Sequence, residues 1–240
     1  VRSASLFGRK LLELKLSAVV SLFDLTAPQK RGYVRHFLEG VMAAPRALWG
    51  PRLIVIDEAH AFAPEGTQAE SLSAVIDVAS RGRKRGYGLI AATQRLSKLH
   101  KDVAAELRNV FVGQTTLDLD ARRAVDTLGV ENPKEGRSKV RALEHEFFAF
   151  GPALDCQGVV KFKAGKPLTT HPRSGSCRQL APPAASKAIR SVLGELADLA
   201  AKADKEAEDL TTARRRVREL ERQLASKTPV VDETAIQQAV

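Results

Sequence analysis

The chain has 240 residues, a formal net charge of +10, 44% hydrophobic and 28% charged residues. That length supports one sizeable core or one core with an appendage, and the composition is that of an ordinary folded domain. No apolar run approaches the ~20 residues that cross a bilayer, and the opening residues, broken by Gly8, Arg9 and Lys10, carry no secretory signal. The excess of basic residues predicts a polyanionic partner, with nucleic acid first, beside the plainer reading of a merely basic protein. Cys156 and Cys177 have no C-x-x-C spacing, so a metal site or disulfide is not expected and a reducing cytoplasm fits.

In chain order, Leu6, Phe7, Leu11, Leu12 and Leu14 suggest a short packed segment. Leu16–Leu25 reads as a buried strand. Thr26 and Pro28 open a helix over 28–43, with Tyr33, Phe37, Leu38, Val41 and Met42 on one side. The run Leu53-Ile54-Val55-Ile56 is continuous and β-branched, and is read as a buried parallel strand. A helix over 68–80 carries Leu72, Val75, Ile76 and Ala79. Leu89–Thr93 is the next strand, so strand, helix and strand form a right-handed crossover. A helix at 102–107, a third strand at 109–113 and a helix at 119–128 closed by Gly129 follow. Residues 130–139 read as a loop, and 146–150 pairs with 158–162 across Gly151 and Pro152.

The predicted domains are a core over 1–163, a linker over 164–186, a helical coiled coil over 187–228 and a tail over 229–240. In the coiled coil, Ile189, Val192, Leu196, Leu199, Ala203, Glu206, Leu210, Ala213, Val217, Leu220 and Leu224 alternate spacings of three and four. A lone amphipathic helix packing back on the core is the other reading of that pattern.

Chemistry concentrates where the central strand ends. Ligands of open α/β sheets bind at the carboxyl ends of the strands, and there Asp57 and Glu58 follow Ile56. Asp57 suits a hydrated Mg2+, because hard cations take carboxylate and water oxygens. Glu58 suits the orienting of a water for attack on phosphorus. This is the Walker B pattern of a P-loop NTPase, and a solvated acidic turn is its bland counterpart. Gln94 ends the neighbouring predicted strand at the same edge, where an amide can bond both a water and a phosphoryl oxygen; as a lone residue it reads as a cap. Between Asp77 and Asp102 there is no acid, while Arg81, Arg83, Lys84, Arg85, Arg95, Lys98 and Lys101 accumulate. That block predicts phosphate neutralisation on DNA or an arginine finger offered to a neighbouring subunit, against a plain solvated basic loop.

No G-x-x-x-x-G-K-[ST] loop occurs in the 240 residues, and Val1 is not Met, which together predict an N-terminally incomplete chain with the phosphate loop upstream. The blocks LIVIDEAHAFAP, ASRGRKRGYGLIAATQR and LRNVFVGQ resemble the HerA/FtsK class of P-loop ATPases, HerA-type DNA translocases most closely, over about residues 17–172. DEAH-box helicases share Asp57-Glu58-Ala59-His60 but not the basic block and Gln94 in this order.

The resemblance implies an α/β, RecA-like, mostly parallel sheet flanked by helices, assembled as a hexameric ring that binds ATP between subunits and passes duplex DNA through its channel. It implies Asp57 for Mg2+, Glu58 for the attacking water, Gln94 as sensor, and Arg83, then Arg81, as the finger acting in trans. The nucleic-acid set is then Lys84, Arg85, Arg95 and Lys98, and an end-processing nuclease is a partner by analogy. The alternative is a non-hydrolysing DNA-binding or assembly module built on the basic core and the coiled coil.

Overall fold

The computed structural model describes residues 3–154, 158–165 and 198–227. Two compact units emerge, one ending at Ser186 and the other comprising Lys187–Val240. The predicted linker lies almost wholly outside the described residues, as do Cys156, Cys177, the 229–240 tail and the heptad positions Ile189, Val192 and Leu196.

Helix α1 (Ala4–Leu14) accounts for the packed opening segment, and α2 (Ala27–Met42) starts on a capping box in which the Thr26 amide donates to Gln29 Oε1 at 2.9 Å. The two helices meet closely at Gly8 and Gly40, where a β-carbon on Gly40 would run into the Ser5 backbone. Strand β1 (Arg52–Ile56) runs parallel to β2 (Tyr87–Ala91) with Ile56 opposite Ala91, and α3 (Leu72–Arg81) makes the crossover between them. Helix α4 (Lys101–Glu106) follows. The core on this sheet gathers Leu38, Val41 and Met42 from α2, Ile56 from β1, Val75 and Val78 from α3, Tyr87 from β2, and Val103 from α4. Each fully buried valine or leucine there contributes roughly 1.5–3 kcal/mol through removal from water.

Several expectations are corrected. Leu16–Leu25 forms no strand: it has no ladder partner among the described residues, and Val19 and Phe23 stand 101% and 85% exposed. A strand exists only through its neighbour's hydrogen bonds, and among the described residues β1 and β2 bond only each other. Strand β1 is covered on one face only, with Leu53 and Val55 at 65% and 60% exposed, so its apolar run is not buried on both sides. Helix α3 begins four residues later than predicted.

The third strand, β3 (Val110–Val112), does not extend the parallel sheet. It pairs antiparallel with β4 (Glu146–Phe150), which pairs antiparallel with β5 (Val160–Lys163). A three-residue strand finds its ladder where a hairpin already offers an edge. The described sheets are therefore one parallel pair and one antiparallel trio, rather than one mostly parallel sheet.

Helix α5 (Asp118–Leu128) ends at Gly129 in the left-handed conformation, as its sequence predicts. The segment read as a loop contains α6 (Pro133–Arg141). Its cap is Asn132, whose side chain accepts from the Glu135 amide, with Pro133 at the first helical position. Val112, Ala124, Val125, Leu128 and Val140 form a second core under β3. In the other unit, α7 (Leu199–Lys227) is a single helix about 43 Å long at 1.5 Å per residue.

Candidate functional site

The parallel ladder continues past the named strands. The Ala92 amide donates to Ile56 O at 2.9 Å, and the Ala59 amide donates to Ala92 O at 2.9 Å. Those bonds bring Glu58 and Gln94 out at the same sheet edge. Glu58 has φ 47 and ψ 46, left-handed values that a side chain of this size rarely adopts. The chain turns there into a single 3-10 turn (Ala59–Ala61). Gln94 Nε2 donates to Glu58 Oε1 at 2.8 Å, and the Gln94 amide lies 3.5 Å from Glu58 Oε2.

Two further residues, neither of them a candidate on sequence grounds, complete the cluster. His60 Nδ1 lies 3.3 Å from Glu58 Oε2 and 2.8 Å from Thr93 Oγ1. Thr93 Oγ1 also accepts from the Arg95 amide at 3.0 Å. Both carboxylate oxygens of Glu58 are thus engaged, Oε1 by Gln94 across the sheet edge and Oε2 by His60 on its own turn. The signal for His60 was present in Asp57-Glu58-Ala59-His60, but only the ladder register brings Thr93 to it.

Asp57 is exposed at the strand end, and its Oδ1 accepts the Glu58 amide at 2.9 Å. No group of three or more His, Cys, Asp or Glu gathers among the described residues. A lone carboxylate with one oxygen engaged fits a Mg2+ held through water and substrate oxygens, and not an all-protein cage.

The basic residues divide between the two ends of the sheet. Arg81, Arg83, Lys84 and Arg85 precede β2, whereas Gln94, Arg95 and Lys98 follow it, about 16 Å away along a five-residue strand. Arg81 pairs with Asp77 on its own helix. Arg83 and Lys84 are exposed and make no ion pair among the described residues. Arg85 turns inward, donating to Met42 O at 3.1 Å and stacking 5.1 Å from the Trp49 ring centre. Arg95 donates to Asp120 Oδ2 at 3.1 Å, and Asp120 also accepts the Ser97 amide at 2.7 Å. Asp120 is 1% exposed. Burial pushes its pKa up, but the hydrogen bonds from Ser97 and Arg95 and the arginine charge prevail and hold it below the ordinary value. The Arg95–Asp120 pair therefore ties the turn carrying Gln94 to α5. Lys98 is exposed, and its carbonyl accepts the Glu65 amide at 2.8 Å.

Comparison with known proteins agrees with the motif reading. A family profile described as Zonular occludens toxin (Zot) matches residues 39–150. The DNA double-strand break repair helicase HerA of Pyrococcus furiosus is 31% identical over 87 residues, which is 36% of this chain and 16% of that protein. The genome packaging NTPase B204 of Sulfolobus turreted icosahedral virus 2, solved with AMP, is 18% identical with a TM-score of 0.43, covering 55% of this chain and 61% of that one. The same NTPase with sulfate gives 19% and 0.44 over the same shares. The chain thus spans only part of the length of each of these relatives. Through the Zot match and the alignment to HerA, the chain is related to the HerA/FtsK-like class of P-loop NTPases.

Proposed function

We propose that the chain is the Walker B and sensor part of an ATP-driven double-stranded DNA translocase of HerA type, working as a ring. The observation that carries the proposal is the bond between Glu58 and Gln94 at one edge of a parallel sheet, with Arg83 beyond the opposite edge. In this reading Asp57 holds Mg2+ through water. Glu58 orients the attacking water, and Gln94 senses the γ-phosphate. ATP comes to the carboxyl edge.

The geometry suggests how the site is kept silent without substrate. Glu58 has both oxygens engaged, by Gln94 and His60. A γ-phosphate that draws the Gln94 amide to itself frees Oε1 to accept from water. Mg2+ supplies charge neutralisation on the phosphates. Arg83, about one strand length from Glu58, reaches no nucleotide bound to its own subunit and is the preferred finger for a neighbour's, with Arg81 second because Asp77 already engages it.

On DNA, Lys84 and Lys98 are the exposed phosphate contacts, while Arg85 and Arg95 chiefly hold their loops. The long helix α7 acts as a coiled-coil element, and an end-processing nuclease remains a partner by analogy. The proposed setting is the cytoplasm; no helix among the described residues is long and apolar enough to cross a membrane.

The test is the full-length gene product with Glu58→Gln. It keeps ATP binding and loses about a hundredfold or more in turnover, the scale of a lost general base. Wild-type turnover in that variant removes the mechanism. DNA affinity that does not fall with rising salt removes the role of the basic residues.

A further inference from the structure

Helix α7 carries an apolar stripe that is exposed among the described residues. Leu210, Val217, Leu220 and Leu224 are between 49% and 73% exposed, and every described side chain from 208 to 224 is exposed. Leu210, Val217 and Leu224 occupy a positions of the heptad, and Ala213 and Leu220 occupy d positions. Water against four large apolar side chains on one stripe is unfavourable, and a helix of this pattern covers such a seam with another helix.

The flanking charges say which helix. The g positions are Asp209 and Arg216, and the e positions are Arg214 and Glu221. In a parallel, in-register pair each g residue faces the e residue five positions on in the other helix. Asp209 then meets Arg214 of a second copy, and Arg216 meets Glu221 of a second copy. Both contacts are attractive, and symmetry makes each twice. Asp209 and Arg214 have no ion pair of their own among the described residues, so both charges are available; Arg216 also reaches Glu219 in its own helix at 3.2 Å.

From this complementarity we propose that α7 pairs with α7 of a second copy of this chain, parallel and in register, as a two-stranded coiled coil. Val217 at a with Leu220 at d favours two strands. The proposal rests on the coiled-coil reading of α7 and deepens it by naming occupant, direction and register. It does not depend on nucleotide hydrolysis, so the failure of either reading leaves the other standing.

The test uses the full chain with Cys156→Ser and Cys177→Ser, and one cysteine added at a time. Leu210→Cys places the thiols of two copies face to face across the seam, and mild oxidation then gives disulfide-linked dimer. Arg215→Cys, at an f position, gives several-fold less. Equal yields at 210 and 215, or no dimer at 210, overturn the pairing.

Direction is read from charge. On the Leu210→Cys background, Asp209→Arg sets like charges at two symmetric contacts and weakens dimerisation by about five- to tenfold, and adding Arg214→Asp restores it. An antiparallel pair faces Asp209 with Arg216 and Arg214 with Glu221, so there the second change weakens dimerisation further. That outcome overturns the parallel register. Circular dichroism of each variant establishes that α7 remains helical, so a loss of dimer is read as lost pairing.

Discussion

Gln94 donates to Glu58 Oε1 at 2.8 Å although 36 positions of sequence separate them. The bond exists because two parallel strands end in register, Ile56 opposite Ala91, and because Glu58 takes a left-handed conformation that swings its side chain toward the neighbouring tip. A double-mutant cycle with Glu58→Ala and Gln94→Ala, read by urea unfolding, gives a coupling of about 1 kcal/mol. Strict additivity would mean that the two side chains do not meet in solution.

Asp120 makes stability depend on acid. Its folded pKa lies below the ordinary 3.8. The stabilisation is therefore fully present above the unfolded value and is lost as pH falls through the folded one. Asp120→Asn lowers stability at pH 7 by about 3 kcal/mol, since it leaves the Arg95 guanidinium without its buried partner. The deficit against the parent shrinks as pH is taken below the unfolded value, and unfolding free energies measured across the acid range check it. A deficit that stays constant with pH contradicts the assignment.

Tyr87 buries a hydroxyl with no hydrogen-bond partner among the described residues, and the side chain is 3% exposed. Desolvation raises its pKa, so the phenol stays neutral. Removing an unpaired polar atom while keeping the ring is favourable. Tyr87→Phe raises stability by about 1 kcal/mol in thermal or urea unfolding, and a loss of that size indicates a partner for the hydroxyl.

Gly86 sits at φ +85, and a β-carbon there would lie 2.7 Å from the Gly50 carbonyl. Gly66 has a similar φ of +71 with nothing near it. Gly66→Ala costs about 1 kcal/mol from backbone conformation alone, whereas Gly86→Ala costs roughly 3 kcal/mol because the 50–52 segment must also shift. Equal costs at the two positions refute the close approach. The difference bears on function, since the Gly86 carbonyl accepts the Arg52 amide at 3.1 Å and so starts the register of the β1–β2 ladder.

Local pattern was enough for much of the core. A β-branched run ending in two acids, a helix, and a second apolar run ending in Thr93-Gln94 specify strand, crossover and strand, because handedness and hydrophobic period act over short distances. The Gly129 cap was legible for the same reason: one residue type relieves one backbone strain. Asn132-Pro133 was equally local, yet Pro133 and Gly136 drew the reading toward a loop, and the buried contacts of Val140 and Gly136 against α5 outweighed them.

By itself, then, the sequence determined the order of the β1–α3–β2 elements, the edge at which Glu58 and Gln94 emerge, and the heptad stripe of α7. Only the tertiary structure decided that Leu16–Leu25 forms no strand, that β3 joins an antiparallel trio, and that His60, Thr93 and the Arg95–Asp120 pair surround the candidate site. The reason is the range of the forces involved. Helical and strand periods are written in neighbours, whereas a ladder partner, a buried counter-charge or a second oxygen for Thr93 is supplied by residues tens of positions away, and nothing in the local pattern names them.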